Sequence, residues 1–261
     1  MWLALLGPLY IESEGTERPV SAGKQRSLLA ALAVRANDVV PADLLAQAVW
    51  GTDSPPSAQE TTRTYIHRLR RRLGPKAAEH IVAQPPGYML RVQPSELDLL
   101  RFESLVRQGR ACVEMGDWRG ALAELSTAEA LWRGTLMADI PSRHIHDWHI
   151  DYLEQTRLAA AELRIEAQVR ISRHGATAVI PELRRMTALH PERERLRLLL
   201  ALAMYRAGRQ AEALRVFGEA RQFSVTEYGV EPGPELSDLH KRVLAQDPTL
   251  LSDLLDRFSF E

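Results

Sequence analysis

Apolar positions recur along the chain with two periods, and the change from one to the other divides it. Residues 2–6 and 9–12 are short apolar runs around Gly7-Pro8, a pattern that predicts two strands, with a third extended piece at Arg18–Val20. The spacing then turns helical. Leu28, Leu29, Leu32 and Ala33 predict a helix over GKQRSLLAALAVRA, ended near Asn37-Asp38. Pro41 suits a first helical turn, so ADLLAQAVW predicts a second helix, stopped by Gly51. After the two-proline loop TDSPPS, a third helix is expected over Ser57–Leu73. Ser57 and Glu60 have the spacing of a capping box, and Gly74-Pro75 terminates the helix. Ile81–Gln84 and Tyr88–Val92 flank Pro85-Pro86-Gly87, the pattern of a hairpin in which Gly87 is expected to supply the turn conformation. Three helices followed by a hairpin is the order of a winged helix-turn-helix.

Beyond Glu96 the strand signals stop. Residues 97–245 show helical patterns broken by Gly, Asp or His-Pro, with weak internal repetition. Gly116-Asp117-Trp118-Arg119-Gly120-Ala121-Leu122 resembles Gly208-Arg209-Gln210-Ala211-Glu212-Ala213-Leu214, and His174-Gly175 precedes Ala207-Gly208 by the 33 residues of a tetratricopeptide-like period. Ala121 and Ala213 are small residues suited to close helix contacts. The expected fold is therefore an α+β winged helix-turn-helix over residues 1–92, an all-α tetratricopeptide-like helical repeat domain over 96–251, and a C-terminal tail over 252–261. An ordinary antiparallel bundle is the alternative for the second part.

At 261 residues and 45% hydrophobic, the chain is long enough and apolar enough for two cores. Its single cysteine, Cys112, excludes an internal disulfide. The apolar start lacks the basic residues of a signal peptide and is too short to span a bilayer, so a cytoplasmic location without membrane association is expected. The net charge of −1 is uninformative until it is divided: residues 1–92 carry +3 and residues 93–261 carry −4. Within the first part, residues 61–76 hold Arg63, Arg68, Arg70, Arg71, Arg72 and Lys76 and no acid. Such a concentration is the electrostatic footprint of a nucleic-acid reader.

The third helix has two faces. Ala58, Thr62, Tyr65, Ile66, Leu69 and Leu73 fall on the side expected to pack inward. Glu60, Thr64, His67, Arg68 and Arg71 fall on the opposite side, with Arg63 and Arg70 on its flanks. An arginine reaching a guanine edge specifies sequence, whereas arginines at the margins hold phosphates. A solvated basic helix is the plainer reading of this face. The absence of compensating acids, the Pro-rich loop before it and the hairpin after it favour DNA. Lys24 at the first helix start and Lys76 beyond the third are candidate backbone contacts, and Gln84, Tyr88 and Arg91 are candidates on the wing.

Other chemistry is weaker. His144-Ile145-His146-Asp147-Trp148-His149 nearly matches a hydrolase metal signature, but its aspartate is one place early and its histidines diverge around a helix, so no metal is expected. Gly23-Lys24 lacks both the upstream glycine of a phosphate loop, where Arg18 stands, and a hydroxyl residue directly after the lysine. No nucleophile-base arrangement can be argued. No enzyme activity and no cofactor are expected, and Trp118 and Trp132 are expected to pack between helices.

Taken in order, LLGPL (5–9), GKQRSLLAAL (23–32), ANDVVPADLLAQAVWG (36–51), TYIHRLRRRLG (64–74), PPGYMLRV (85–92), LWRG (131–134), HPERERLR (190–197), YRAGRQAEALRVF (205–217) and GVEPGPEL (229–236) resemble the Streptomyces antibiotic regulatory protein family. The resemblance covers about residues 3–250. It implies an OmpR-type winged helix, of the fold used by two-component response regulators, joined to a bacterial transcriptional activator domain. The implied function is transcription activation: binding of direct repeats in promoter DNA as a dimer, recruitment of RNA polymerase holoenzyme through its sigma factor and alpha C-terminal domain, and control of an antibiotic biosynthetic cluster. It implies base contacts from residues 60–71 and polymerase contacts from Trp50, Gly51, Thr52, Asp53 and Ser54, in a nucleoid-associated protein of the small, stand-alone type. Arg143–His149 is richer in histidine and less acidic than that pattern, so no contact is carried over to it. An interaction adaptor built on the helical repeats and a ligand-sensing regulator are the alternatives.

Overall fold

Two small sheets, three helices and a short fourth make the N-terminal part of the protein. In the computed structural model, residues 1–251 are described, apart from the side chains of residues 143, 144 and 146–149. The side chains of His144, His146 and His149, and the expected tail at 252–261, thus lie outside the described residues. Strands β1 (Trp2–Ala4), β2 (Tyr10–Ser13) and β3 (Thr16–Glu17) form an antiparallel sheet with Leu3 opposite Ile11 and Ser13 opposite Thr16. Helices α1 (Gly23–Val34), α2 (Ala42–Trp50), α3 (Ala58–Leu73) and the short α4 (Pro75–Ala78) follow, with β4 (Val40–Pro41) between the first two. Strand β4 pairs with β6 (Gly87–Leu90), which pairs with β5 (Ile81–Gln84). Leu28, Leu29, Leu32, Leu45, Ile66, Leu69 and Leu73 are fully buried and form the core of this winged helix.

Four expectations are corrected at this level. Strand β1 stops at Ala4, short of Leu6, because the Leu5 and Leu6 amides donate to the Asp98 carboxylate at 2.8 Å instead of to a neighbouring strand. The third strand lies at Thr16–Glu17, earlier than Arg18–Val20. Glu14 and Gly15 both have positive φ and close a two-residue hairpin turn that brings Thr16 back onto Ser13. The capping box at Ser57 does not form. The Ser57 ψ of 9° is unlike an extended cap and its hydroxyl takes no amide; its carbonyl instead accepts from the Thr61 amide at 2.9 Å. Gly87 is not in a left-handed turn conformation. It lies against β4, where a Cβ would stand 1.9 Å from the Val40 carbonyl oxygen.

A single 3₁₀ turn at Pro94–Glu96 leads into α5 (Asp98–Glu114), α6 (Trp118–Ala130), α7 (Arg143–Ile171), α8 (Arg173–Leu189), α9 (Glu194–Arg206), α10 (Gln210–Tyr228) and α11 (Pro234–Leu244). The chain forms two compact units, one of residues 1–107 and 127–158, the other of residues 108–126 and 159 onward. In the first, Asp98 is the joint. It is 1% exposed, and burial pushes its carboxyl up to about 6 against the opposing pull of the Leu5 and Leu6 amides and of Arg133 at 3.9 Å. The Arg133 amide donates to the Leu6 carbonyl at 2.7 Å, and Trp132 packs edge-on against Phe102 at 5.4 Å. In the second unit the helical repeat is visible in detail. Gly116 and Gly208 have φ of 75° and 77°, and the next amides, of Asp117 and Arg209, close back on the Cys112 and Met204 carbonyls. Ala121 and Ala213 are fully buried one turn later. The 33-residue offset from Gly175 is not part of this repeat, because Gly175 opens α8 whereas Gly208 follows the end of α9. Among the described residues no helix is long and apolar enough to cross a membrane.

Candidate nucleic-acid interface

Helix α3 buries Ala58, Thr62, Ile66, Leu69 and Leu73 and exposes Glu60, Arg63, Thr64, His67, Arg68 and Arg71, so its period of apolar residues fixes which side chains face outward. Tyr65 sits between the two faces. Its ring stacks on Trp50 at 5.8 Å with 13° between planes, and the Arg68 guanidinium lies 5.9 Å from it. Glu60 stands in the first turn, where the amide ends of the helix favour an acid, while Arg70, Arg71 and Arg72 occupy the last turn, where the carbonyl ends favour cations. The basic end of α3 is thus stable without acidic partners on the helix itself.

Arg70 differs from its neighbours. The helical period puts it on the flank of the outward face, yet its Nε and Nη2 donate to the Ile81 carbonyl at 3.2 and 2.6 Å. The guanidinium therefore ties α3 to the first strand of the hairpin. The reason is geometric: strand β5 begins with a backbone carbonyl beside the last turn of α3, and only a long forked donor reaches it.

The wing is the β5–β6 hairpin. Gln84 is exposed beside the tip, whose Pro85-Pro86 peptide is cis. Tyr88 is half-buried and stands opposite both Ala83 and Val40. Arg91 is exposed but lies at the base of the hairpin, far from the tip, where its amide donates to the His80 carbonyl at 2.8 Å. Lys76 is 79% exposed and pairs with Glu14 at 3.1 Å. Lys24 is exposed at the start of α1, with its ammonium 5.3 Å from the Trp50 ring. Trp50 thus lies between Tyr65 and Lys24, half-buried, rather than projecting from the loop. Gly51 ends α2 with φ of 73°, and Thr52, Asp53 and Ser54 are exposed beyond it, the Ser54 hydroxyl closing on the Gly51 carbonyl at 3.2 Å.

Three further residues stand beside this face, of which the sequence marks only Arg72, as part of the basic run and without a role on the face. Arg72 is exposed and donates to the Ser21 hydroxyl at 3.1 Å, and Gln25 of α1 lines the same cavity as Arg72. Arg72 stands four residues after Arg68, one turn along the same side of α3, and that spacing was the available signal. Ser21 and Gln25 carried none, since only the fold brings α1 to α3. Among the described residues no three His, Cys, Asp or Glu side chains converge as metal ligands would.

Two family profiles cover most of the chain. One described as "Transcriptional regulatory protein, C terminal" matches residues 17–90, and one described as "Bacterial transcriptional activator domain" matches residues 97–244. Regulatory protein DnrI of Streptomyces peucetius is 35% identical over 257 residues, covering 95% of this chain and 93% of that protein. The chain belongs to the Streptomyces antibiotic regulatory protein family. A second relative in this family, regulatory protein AfsR of Streptomyces griseus, is 38% identical over 94% of this chain, which spans only a quarter of that longer protein. Among solved structures, Mycobacterium tuberculosis EmbR in complex with a low-affinity phosphopeptide superposes with a TM-score of 0.85 at 32% identity, over 95% of this chain and 65% of that chain. The likeness extends through both the winged helix and the helical region. As a member of this family the chain is a transcriptional regulator and not an enzyme.

Proposed function

We propose that this regulator activates transcription by reading short direct repeats in promoter DNA with α3 and the β5–β6 wing, and by holding RNA polymerase there. One observation carries the reading: the outward face of α3 exposes Arg63, Arg68 and Arg71 beside Thr64 and His67, with its single acid, Glu60, at the far end. A helix of that kind enters a major groove, where arginine recognises guanine and the helix margins hold phosphates. On this reading the exposed tip of the wing follows the adjacent minor groove. Thr52, Asp53 and Ser54 form an exposed loop open to a protein partner, which suits contact with polymerase, whereas Trp50 serves that loop from behind by packing on Tyr65.

The reading head at residues 1–92 then recognises one repeat, and the helical domain at 96–251 holds neighbouring protomers head to tail, the arrangement that matches direct repeats. The target on this reading is the promoter of a biosynthetic cluster for an antibiotic or related metabolite. The test is binding of the full chain to duplexes carrying one and two copies of its repeat, alongside a reporter in cells. Cooperative binding to two copies with activation of the reporter supports the reading. Equal binding to repeat and scrambled duplexes removes it.

Ligand sensing has one observation in its favour. A cavity of about 620 Å³ in the helical unit is lined by Trp118, Arg170, Leu199, Leu202 and Leu239 among others. A metabolite that changed operator affinity of the full chain, and lost that effect in a Leu202→Trp variant, would establish this second reading.

A further inference from the structure

Beside the outward face of α3 lies a cavity of about 500 Å³ lined by Ser21, Ala22, Gln25, Arg68, Arg71 and Arg72, with no acidic side chain on it. Three features make it a built site. Helix α1 starts at its edge without a side-chain cap and without an acid in the first turn, and because the Gln25 and Arg26 backbone amides already donate to the Ala22 carbonyl, it is the Gly23 and Lys24 amides that keep their partial positive charge. The Ser21 hydroxyl accepts from Arg72 at 3.1 Å, which fixes one guanidinium at the mouth while leaving its remaining N–H groups to point elsewhere. Gln25 is the independent sign. It is only 8% exposed, it lines the cavity, and its side-chain amide has no hydrogen-bond partner among the described residues. The amide is not enclosed, so it meets solvent in the cavity, where a ligand oxygen would take the place of water.

From this geometry we propose that the cavity binds a phosphate oxyanion, with the Gly23 and Lys24 amides of α1, the Gln25 side-chain amide, Arg71 and Arg72 as donors, and that its occupant is a backbone phosphate of the DNA flanking the bases read by α3. The proposal rests on the DNA-reading function above, but its chemistry is separate from it. A free phosphoryl group would use the same donors. A DNA phosphate is favoured because the cavity opens on the side of α3 that carries Arg68 and Arg71, and because an extended polyanion bridges neighbouring cationic sites. Arg68 shares both the cavity and the outward face, so the test rests on Arg72 and Gln25.

The experiment measures binding of the full chain and its Arg72→Ala and Gln25→Leu variants to repeat and random duplexes from 50 to 200 mM salt, with ethylation interference on the repeat duplex. In parallel, inorganic phosphate is titrated against the backbone amide resonances of Gly23 and Lys24. The expected result is a several-fold loss for Arg72→Ala that is equal on the two duplexes. It comes with a salt slope shallower by about 0.9 and loss of sensitivity to ethylation at one phosphate per repeat. Gln25→Leu keeps the size of the side chain and should give the same ethylation result with an unchanged salt slope. If the variants bind DNA as the parent does, while inorganic phosphate shifts Gly23 and Lys24 saturably in the parent and not in Arg72→Ala, the DNA assignment is overturned and a free phosphoryl ligand takes its place. If neither DNA binding nor the phosphate titration responds to either variant, there is no anion site. Failure of all three proteins to distinguish repeat from random DNA strikes the DNA-reading function instead, and leaves the phosphate titration to decide the cavity.

Discussion

Arginines four residues or fewer apart on α3 have different work because each meets a different neighbour. Arg68 is exposed on the outward face, so Arg68→Ala should weaken binding to the repeat by about 1–3 kcal/mol and binding to random DNA by much less. Equal losses would make it a phosphate contact. Arg70 gives its donors to the Ile81 carbonyl, so Arg70→Ala should loosen the wing. Repeat affinity falls and minor-groove protection beside the repeat disappears, while the salt slope stays that of the parent because no phosphate contact is lost. A slope shallower by about one unit would instead place Arg70 on the DNA backbone. Asp98 is a residue-scale lever on stability. Its folded-state pKa is raised from 3.8 to about 6, chiefly by burial. Between those values the folded chain keeps a proton that the unfolded chain has released. Stability from this group is therefore fully present below about pH 4 and lost as pH rises through 6, by an amount on the order of 3 kcal/mol. In urea titrations from pH 4 to 7, Asp98→Asn should flatten that part of the profile; an unchanged profile would assign the pH dependence to other groups.

At the scale of elements, the wing depends on a glycine for a reason the sequence does not display. A side chain at Gly87 would stand 1.9 Å from the Val40 carbonyl oxygen and force β4 away from β6. Gly87→Ala should cost several kcal/mol of unfolding free energy. A loss under 1 kcal/mol would show that β4 yields without penalty. The Pro-Pro-Gly pattern located this hairpin, but it suggested turn chemistry where the structure shows close approach of two strands. The third helix was legible for a plain reason: the period of 3.6 carries directly into its buried row of Ala58, Thr62, Ile66, Leu69 and Leu73, whereas α1 is buried on every side from Ser27 to Val34 and was legible by its apolar length. What escaped were features set by partners distant in sequence. Leu5 and Leu6 read as strand until Asp98 takes their amides 93 and 92 residues away. Arg70 reads as one more basic residue until the Ile81 carbonyl appears beside it. In the helical unit, the likeness of Gly116 to Gly208 was readable because both end a helix in the same backbone conformation, while Gly175 matched by spacing alone.

The whole molecule divides its charge, with +3 on residues 1–92 and −4 on the remainder, so the net positive charge lies in the winged helix, where the proposed DNA reading would use it. The winged helix is nevertheless not self-contained at residue 92. Its first strand bridges Leu97, and its Leu5 and Leu6 amides need Asp98. A fragment ending at 92 should therefore melt well below one ending at 107, and equal melting temperatures would mean that those amides find other acceptors. On the proposed function, the arrangement of protomers would follow from the repeat: same-direction repeats require same-direction heads, and a two-fold dimer would require a palindrome. The most direct measurement is footprinting of the purified full chain on the DNA upstream of its own gene and of the genes around it. The account predicts two protected segments with one sequence in the same orientation, centred a whole number of helical turns apart. Each should carry major-groove contacts that vanish in Arg68→Ala. Protection no stronger than on random DNA, or protection of inverted half-sites, would contradict it.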